Sequence, residues 1–247
     1  MDGIMASNVK ERNFFAVIPA AGRSTRMDSA TNKQFLEVRG IPVLARTLMT
    51  FDRSHMIDGI VVVCDPSEAE AVRNLCSRYV ISKLILTVDG GPTRQNSVRN
   101  ALEALEGFIG RDKSESAYVL IHDGARPFLS DRVLGECVEA LSGAKACICA
   151  VPVKDTIKSS DTDGFVDQTI PRERLWSVQT PQGFKFTNIL EMHRKASELS
   201  VDFTDDASVA EYFGVKVRII SGDYTNIKIT TREDLIIGEA ITRNDIK

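Results

Sequence analysis

The sequence predicts an α/β fold: a doubly wound, mostly parallel sheet with a projecting β-arm. Three observations carry this. Short, nearly unbroken apolar runs recur along the chain, as strands covered on both faces require. Stretches with helical patterning lie between them, and strand–helix alternation at that spacing builds parallel sheets. The alternation breaks between residues 153 and 180, where polar residues surround a turn signal.

The elements follow in order. Residues 1–13 are polar and charged, without the apolar core and cleavage site of a signal peptide, and read as a lead-in. Strands are expected at 14–19, 60–64, 83–88, 118–122 and 146–151, where apolar and β-branched residues are dense. Helices are expected at 43–51, 67–79, 93–105 and 131–141. Right-handed crossovers then bring the loops after the strands to one edge of the sheet, the usual place for a ligand. Residues 155–158 and 165–166 read as a β-hairpin whose turn ends in Gly164. It has too few apolar residues for a core of its own, so it is expected to project or to pair with another subunit. Beyond it come helices at 187–199 and 206–213, a strand at 216–220, a short strand at 227–229 and a terminal helix from Thr231. There is no internal repeat. Residues 1–247 read as one domain with an arm at about 153–180.

Composition narrows the function. With 43% hydrophobic and 26% charged residues the chain is ordinary for a soluble globular protein. A net charge of -3 gives no reason to expect nucleic acid as a partner. No apolar run reaches the roughly 18 residues of a membrane span. The 5 cysteines are odd in number, scattered and free of Cys-x-x-Cys spacing, which suits a reducing, cytoplasmic setting. Cys147 and Cys149 alternate on one strand face and are expected to be buried. His55, His122 and His193 show no metal-ligand spacing, so zinc is not expected.

The most informative stretch follows the first strand: Pro19-Ala20-Ala21-Gly22-Arg23-Ser24-Thr25-Arg26-Met27, then Lys33-Gln34-Phe35-Leu36. Small residues there let backbone N–H groups approach a phosphate or base closely. The dinucleotide fingerprint fails, because Ser24 and Met27 stand where glycines are needed, and no Gly-Lys-Ser/Thr follows for a P-loop. Two cations, Arg26 and Lys33, remain to reach one ligand. Attack on an α-phosphorus builds charge on the transferring phosphoryl group and on departing pyrophosphate. A fixed cation stabilises that charge by about 3 kcal/mol.

These residues resemble the signature of the cytidylyltransferases that act on sugar and polyol phosphates, and within them the members that use 2-C-methyl-D-erythritol 4-phosphate. Further segments in the family's order extend the resemblance over about residues 14–242. They are Asp89-Gly90-Gly91 with Arg94 and Ser97, His122-Asp123-Gly124-Ala125-Arg126-Pro127, and Val153-Lys154-Asp155-Thr156. Leu175-Trp176 with Gln179-Thr180-Pro181-Gln182, Thr204-Asp205-Asp206-Ala207-Ser208, and Asn226-Ile227-Lys228-Ile229-Thr230 complete the set.

The resemblance implies a Rossmann-like nucleotidyltransferase that joins CTP and the acceptor phosphate with Mg²⁺ on the triphosphate rather than in a protein cage. It implies that Ala20, Ala21 and Gly22 line the nucleotide site and that Arg26 and Lys33 steady the transition state. Gly90, Arg94 and Ser97 would meet the base and ribose, with Asp123 and Gly124 beside them. Asp123 would accept from hydroxyls or hold Mg²⁺ through water. Arg172 and Lys228 would position the acceptor, helped by Thr156 and Thr180 as donors. In relatives the arm is exchanged between two subunits, which implies a homodimer whose Arg172 serves the neighbouring site.

The acceptor brings its own phosphate dianion, with a second pKa near ~6, so no general base is required. His122 reads as a buried group and Arg126 as a brace for its loop through a carboxylate. Lys228 lies between Ile227 and Ile229 and is expected to point opposite to both, into the cleft. Two departures from the family are Ser24, where many relatives have glycine, and Pro92, where a polar or acidic residue is expected. The rival readings are a ribitol 5-phosphate cytidylyltransferase, a dinucleotide-dependent oxidoreductase and a non-catalytic nucleotide-sensing module. A loop reading Pro-Ala-Ala-Gly and the Asp205-Asp206-Ala207-Ser208 segment count against the first, the missing fingerprint against the second, and the Arg26/Lys33 pair against the third.

Overall fold

The apolar runs assemble into one 7-stranded sheet. A computed structural model describes residues 12–22, 33–199 and 201–244. In chain order its elements are β1 (Asn13–Pro19), β2 (Glu37–Val38), β3 (Ile41–Pro42), α1 (Val43–Arg53) and β4 (Gly59–Cys64). Next come α2 (Ala69–Arg78), β5 (Leu84–Asp89), α3 (Arg94–Ile109), α4 (Arg111–Ser114), β6 (Ala117–Ile121), α5 (Asp131–Ala140) and β7 (Ala146–Pro152). The remainder is β8 (Ile157–Ser160), β9 (Val166–Ile170), β10 (Trp176–Lys185), α6 (Phe186–Ala196), α7 (Asp206–Tyr212), β11 (Val217–Ser221) and α8 (Arg232–Asn244).

The sheet order is β11-β7-β10-β6-β1-β4-β5. All neighbours are parallel except β10, which is antiparallel to both β6 and β7. From β1 the chain winds outward through β4 and β5, then returns to lay β6 on β1's other side. That reversal opens a crevice at the carboxyl ends of β1 and β6.

Alternation along β1 divides the core. Phe14, Ala16 and Ile18 face α1, α2 and α5 through Leu44, Leu48, Val72 and Leu134. Phe15 and Val17 face α3, α6 and α7 through Val98, Leu102, Ile189 and Val209. Truncating one such buried Leu to Ala removes about 2–5 kcal/mol. A smaller cluster of Val38, Val43, Ala125 and Ile229 fastens the C-terminal segment to the loop after β6.

The expected strands and helices are present, with ends moved by a few residues. Two expectations are corrected. Residues 227–229 form no strand; Ile229 N donates to Ala125 O and no ladder continues from it. Residues 176–180 belong to β10 inside the central sheet, so the region read as an arm ends earlier, before Trp176. What precedes it is a separate antiparallel ribbon, β8 with β9, largely exposed along both strands. Gly164 in its turn has φ +87°, a conformation that glycine adopts without Cβ strain.

Candidate active site

The loops after β1, β4, β5 and β6 enclose a cleft of about 470 Å³. Backbone bonds carry the sheet's pattern into its floor: Ala20 N donates to Val63 O, Gly90 N to Cys64 O, and Gly124 N to Pro19 O. Ala21 and Gly22 line the cleft. Ala20 does not, because its N–H is engaged by Val63 and its side chain is buried. A Cβ on Gly90 would fall 2.6 Å from the Ala21 Cβ, so only glycine lets the β1 and β5 loops meet. The Gly90-Gly91 turn leads into α3, where the Thr93 side chain accepts from Asn96 N. Ser97 Oγ accepts from Gly91 N and donates to Thr93 O, so it braces the turn from beneath.

Asp123 is the electrostatic centre. Lys228 Nζ lies 3.0 Å and Arg126 Nε 3.3 Å from its Oδ2, and Arg94 Nε lies 3.9 Å from Oδ1. Burial alone would raise its pKa, but Lys228, Arg94 and Arg126 together hold the carboxyl well below the usual range. It is therefore ionised at neutral pH, with Oδ1 the less engaged oxygen. Arg126 Nη1 also donates to Asn226 O, which ties the β6 loop to the segment carrying Lys228.

A buried hydrogen-bond chain fixes the backbone beneath Asp123. Asp123 N donates to Thr180 Oγ1 at 3.1 Å, and that hydroxyl lies 3.0 Å from His122 Nδ1. His122 Nε2 lies 3.0 Å from Arg126 O, which can only accept, so Nε2 carries the proton and Nδ1 accepts from Thr180. Burial pushes the imidazole down to about 4, which keeps it neutral. Phe51 packs on the same ring at 5.2 Å. His122 is thus a strut in the wall and not a base at the cleft.

Comparison with known proteins places the chain. A family model described as 2-C-methyl-D-erythritol 4-phosphate cytidylyltransferase (IspD) matches residues 14–244. The chain belongs to the IspD family. It is 46% identical over 235 residues to the family member of Geobacillus thermodenitrificans, covering 95% of this chain and 99% of that one. It is 44% identical over 230 residues to that of Clostridium novyi, covering 93% and 96%. The crystal structure of 4-diphosphocytidyl-2C-methyl-D-erythritol synthase from Anaerococcus prevotii superposes with TM-score 0.81 at 34% identity, covering 95% of this chain and 98% of that one. The enzyme of Thermus thermophilus does so with TM-score 0.73 at 31% identity, covering 92% and 98%.

The IspD segments found in the sequence converge only in part. Ala21, Gly22, Gly90, Arg94, Ser97, Asp123, Gly124 and Lys228 all line the cleft. Lys228 lines the cleft beside Asp123, while its neighbour Ile229 is buried. Thr156 and Arg172 are exposed and line no part of this cleft; Arg172 Nη1 donates instead to Lys154 O within the ribbon's base. Thr180 is 5% exposed with its hydroxyl engaged on both sides, so the expectation that it donates to the acceptor gives way to a bracing role. Arg26 and Ser24 lie outside the described residues, and of Lys33 only the backbone, in a 3-10 turn (Lys33–Phe35), is described.

Behind the site lie residues to which the sequence motifs give no role. Asp206 is 1% exposed, accepts from Arg94 Nη2 at 2.7 Å and lies 3.2 Å from Nε2 of wholly buried His193. Burial opposes its ionisation, yet Arg94 and His193 hold its carboxyl down to about 2. Gln182 on β10 donates to Asp205 Oδ2 and accepts from Ala207 N. Asp65 and buried Gln34 also line the cleft.

Proposed function

We propose that this protein transfers CMP from CTP to 2-C-methyl-D-erythritol 4-phosphate, giving 4-diphosphocytidyl-2-C-methyl-D-erythritol and pyrophosphate, an isoprenoid-precursor reaction. The observation that carries this reading is the near-complete IspD match together with the meeting of its cleft-forming segments at one switch-point crevice. A phosphate oxygen of the acceptor attacks the α-phosphorus; a new P–O bond forms, the α–β bridge breaks, and pyrophosphate leaves with its electron pair. The acceptor is already ionised, so the protein positions it and neutralises charge. Arg26 and Lys33 stabilise the transferring phosphoryl group and pyrophosphate. Arg94, Gly90 and the Ala21-Gly22 turn hold the nucleotide, and Lys228 draws in the acceptor phosphate.

Magnesium is part of this reading. Asp123 lines the cleft with one lightly engaged oxygen, its other oxygen being covered by cations. Asp123 would be the residue to help hold such an ion, which the phosphate oxygens would chiefly carry. Bound there, the ion would neutralise charge on the triphosphate.

We also read the functional unit as a homodimer in which Arg172 and Thr156 complete the neighbouring site. That neither lines this chain's own cleft supports it, as do exposed Phe165 and Val166 on the ribbon and Trp176 and Val178 at its base. A cytoplasmic setting agrees with cysteines that are all free and buried. Among the described residues no helix is long and apolar enough to cross a membrane.

Mixing the protein with CTP, Mg²⁺ and the acceptor should yield the diphosphocytidyl product by mass spectrometry, with one pyrophosphate per product. CTP binding without product would favour the sensing module.

A further inference from the structure

Arg94 stands between two carboxylates, and only one of them faces the cleft. Asp123 Oδ1 lies 3.9 Å from Nε, while Asp206 Oδ2 takes Nη2 at 2.7 Å from behind. Asp206 is 1% exposed and lines no part of the cleft. Its other oxygen lies 3.2 Å from His193 Nε2, on a ring with no exposed surface. An ionised carboxylate so placed is costly unless a cation pairs with it, and Arg94 supplies that cation by reaching in from the cleft.

Asp206 is itself held. α7 opens with a capping box in which Asp205 accepts from Ser208 N and Ser208 reaches back to Asp205 N. Gln182 fastens this first turn to β10 by two bonds, at 2.6 Å to Asp205 Oδ2 and 2.9 Å from Ala207 N. Two residues earlier on β10, Thr180 holds the backbone of Asp123. One strand therefore sets both carboxylates that compete for Arg94.

We propose that Asp206 is a positioning residue for Arg94: it holds the guanidinium away from the Asp123 cluster and aims its remaining donors at the nucleotide. The proposal rests on the reading of Arg94 as a nucleotide contact. Without the buried charge, Arg94 swings toward Asp123, where Lys228 and Arg126 already crowd one oxygen, and the nucleotide loses its partner. Asp206 touches no substrate, so its loss acts on CTP binding and leaves acceptor binding nearly unchanged.

A double-mutant cycle on the full chain tests this, with CTP affinity measured by calorimetry and acceptor KM by pyrophosphate release. Asp206→Asn and Arg94→Gln are each expected to weaken CTP binding about tenfold, and the double variant no more than Arg94→Gln alone. Acceptor KM should change less than about twofold in Asp206→Asn. If Asp206→Asn does not fold, Gln182→Leu takes its place, removing the support of α7 while keeping both members of the pair, with the same non-additivity expected. Normal CTP affinity in the Asp206 variant, or effects that multiply in the double, would overturn the proposal while leaving Arg94 a nucleotide contact. Normal affinity in Arg94→Gln would overturn that contact and the proposal with it.

Discussion

Lys228 Nζ lies 3.0 Å from Asp123 Oδ2, joining the segment before the last helix to the loop after β6 at the wall of the cleft. The lysine is thereby held where an incoming phosphate can exchange with the carboxylate for its charge. Lys228→Ala is expected to lower kcat/KM for the acceptor by about 100-fold, with a much smaller change in KM for CTP. Steady-state pyrophosphate release with each substrate varied in turn checks this. A loss confined to CTP would move Lys228 to the nucleotide side.

Stability should carry the signature of His122. Burial lowers its pKa from 6.5 to about 4 in the folded protein. The unfolded chain then takes up the proton first as pH falls. The contribution is fully present above the unfolded value and is lost as pH falls through 6.5 toward 4. Its size is on the order of 3 kcal/mol. Urea midpoints near pH 7.5 and near pH 5 should fall further for the native protein than for His122→Gln. Equal falls would contradict a neutral, buried imidazole.

Thr180 separates bracing from direct contact. Thr180→Val keeps the shape and deletes the bonds to Asp123 N and His122 Nδ1. It should reduce stability by about 1–3 kcal/mol and kcat by about tenfold, with acceptor KM little changed. A rise in acceptor KM alone would restore Thr180 as a substrate donor.

Lys33→Ala should collapse turnover, by about 100-fold or more, while CTP binding weakens far less. Binding by calorimetry beside turnover decides it. Near-normal turnover would remove Lys33 from the mechanism.

The trans role of Arg172 predicts complementation. Lys33→Ala and Arg172→Ala should each be nearly inactive. Mixed and allowed to exchange subunits, they should recover about a quarter of native activity, since one site in each mixed dimer is intact. No recovery would mean that each Arg172 serves its own chain.

The α/β architecture was legible because β1, β4, β6 and β7 are apolar on both faces and the helices between them are amphipathic. β10 was hidden: Gln179, Pro181, Gln182 and Gly183 carry no strand signal, and Pro181 cannot donate to a ladder. The structure admits them through a register shift between Val178 and Gln182 and through side-chain bonds from both glutamines. That Gly90, Arg94, Asp123 and Lys228 would meet at one cleft was legible from their motifs. Asp206 with His193 was not, because helix packing makes that contact and no spacing announces it. The bracing bonds of Thr180 were not legible, because its partners, His122 and Asp123 N, lie beside a strand far off in sequence.

The central claim is tested most directly by pyrophosphate release with CTP and Mg²⁺, offering 2-C-methyl-D-erythritol 4-phosphate and ribitol 5-phosphate in separate reactions. Rapid release with the first and none with the second is the expected result. Release driven by ribitol 5-phosphate, or silence with both, would contradict the account.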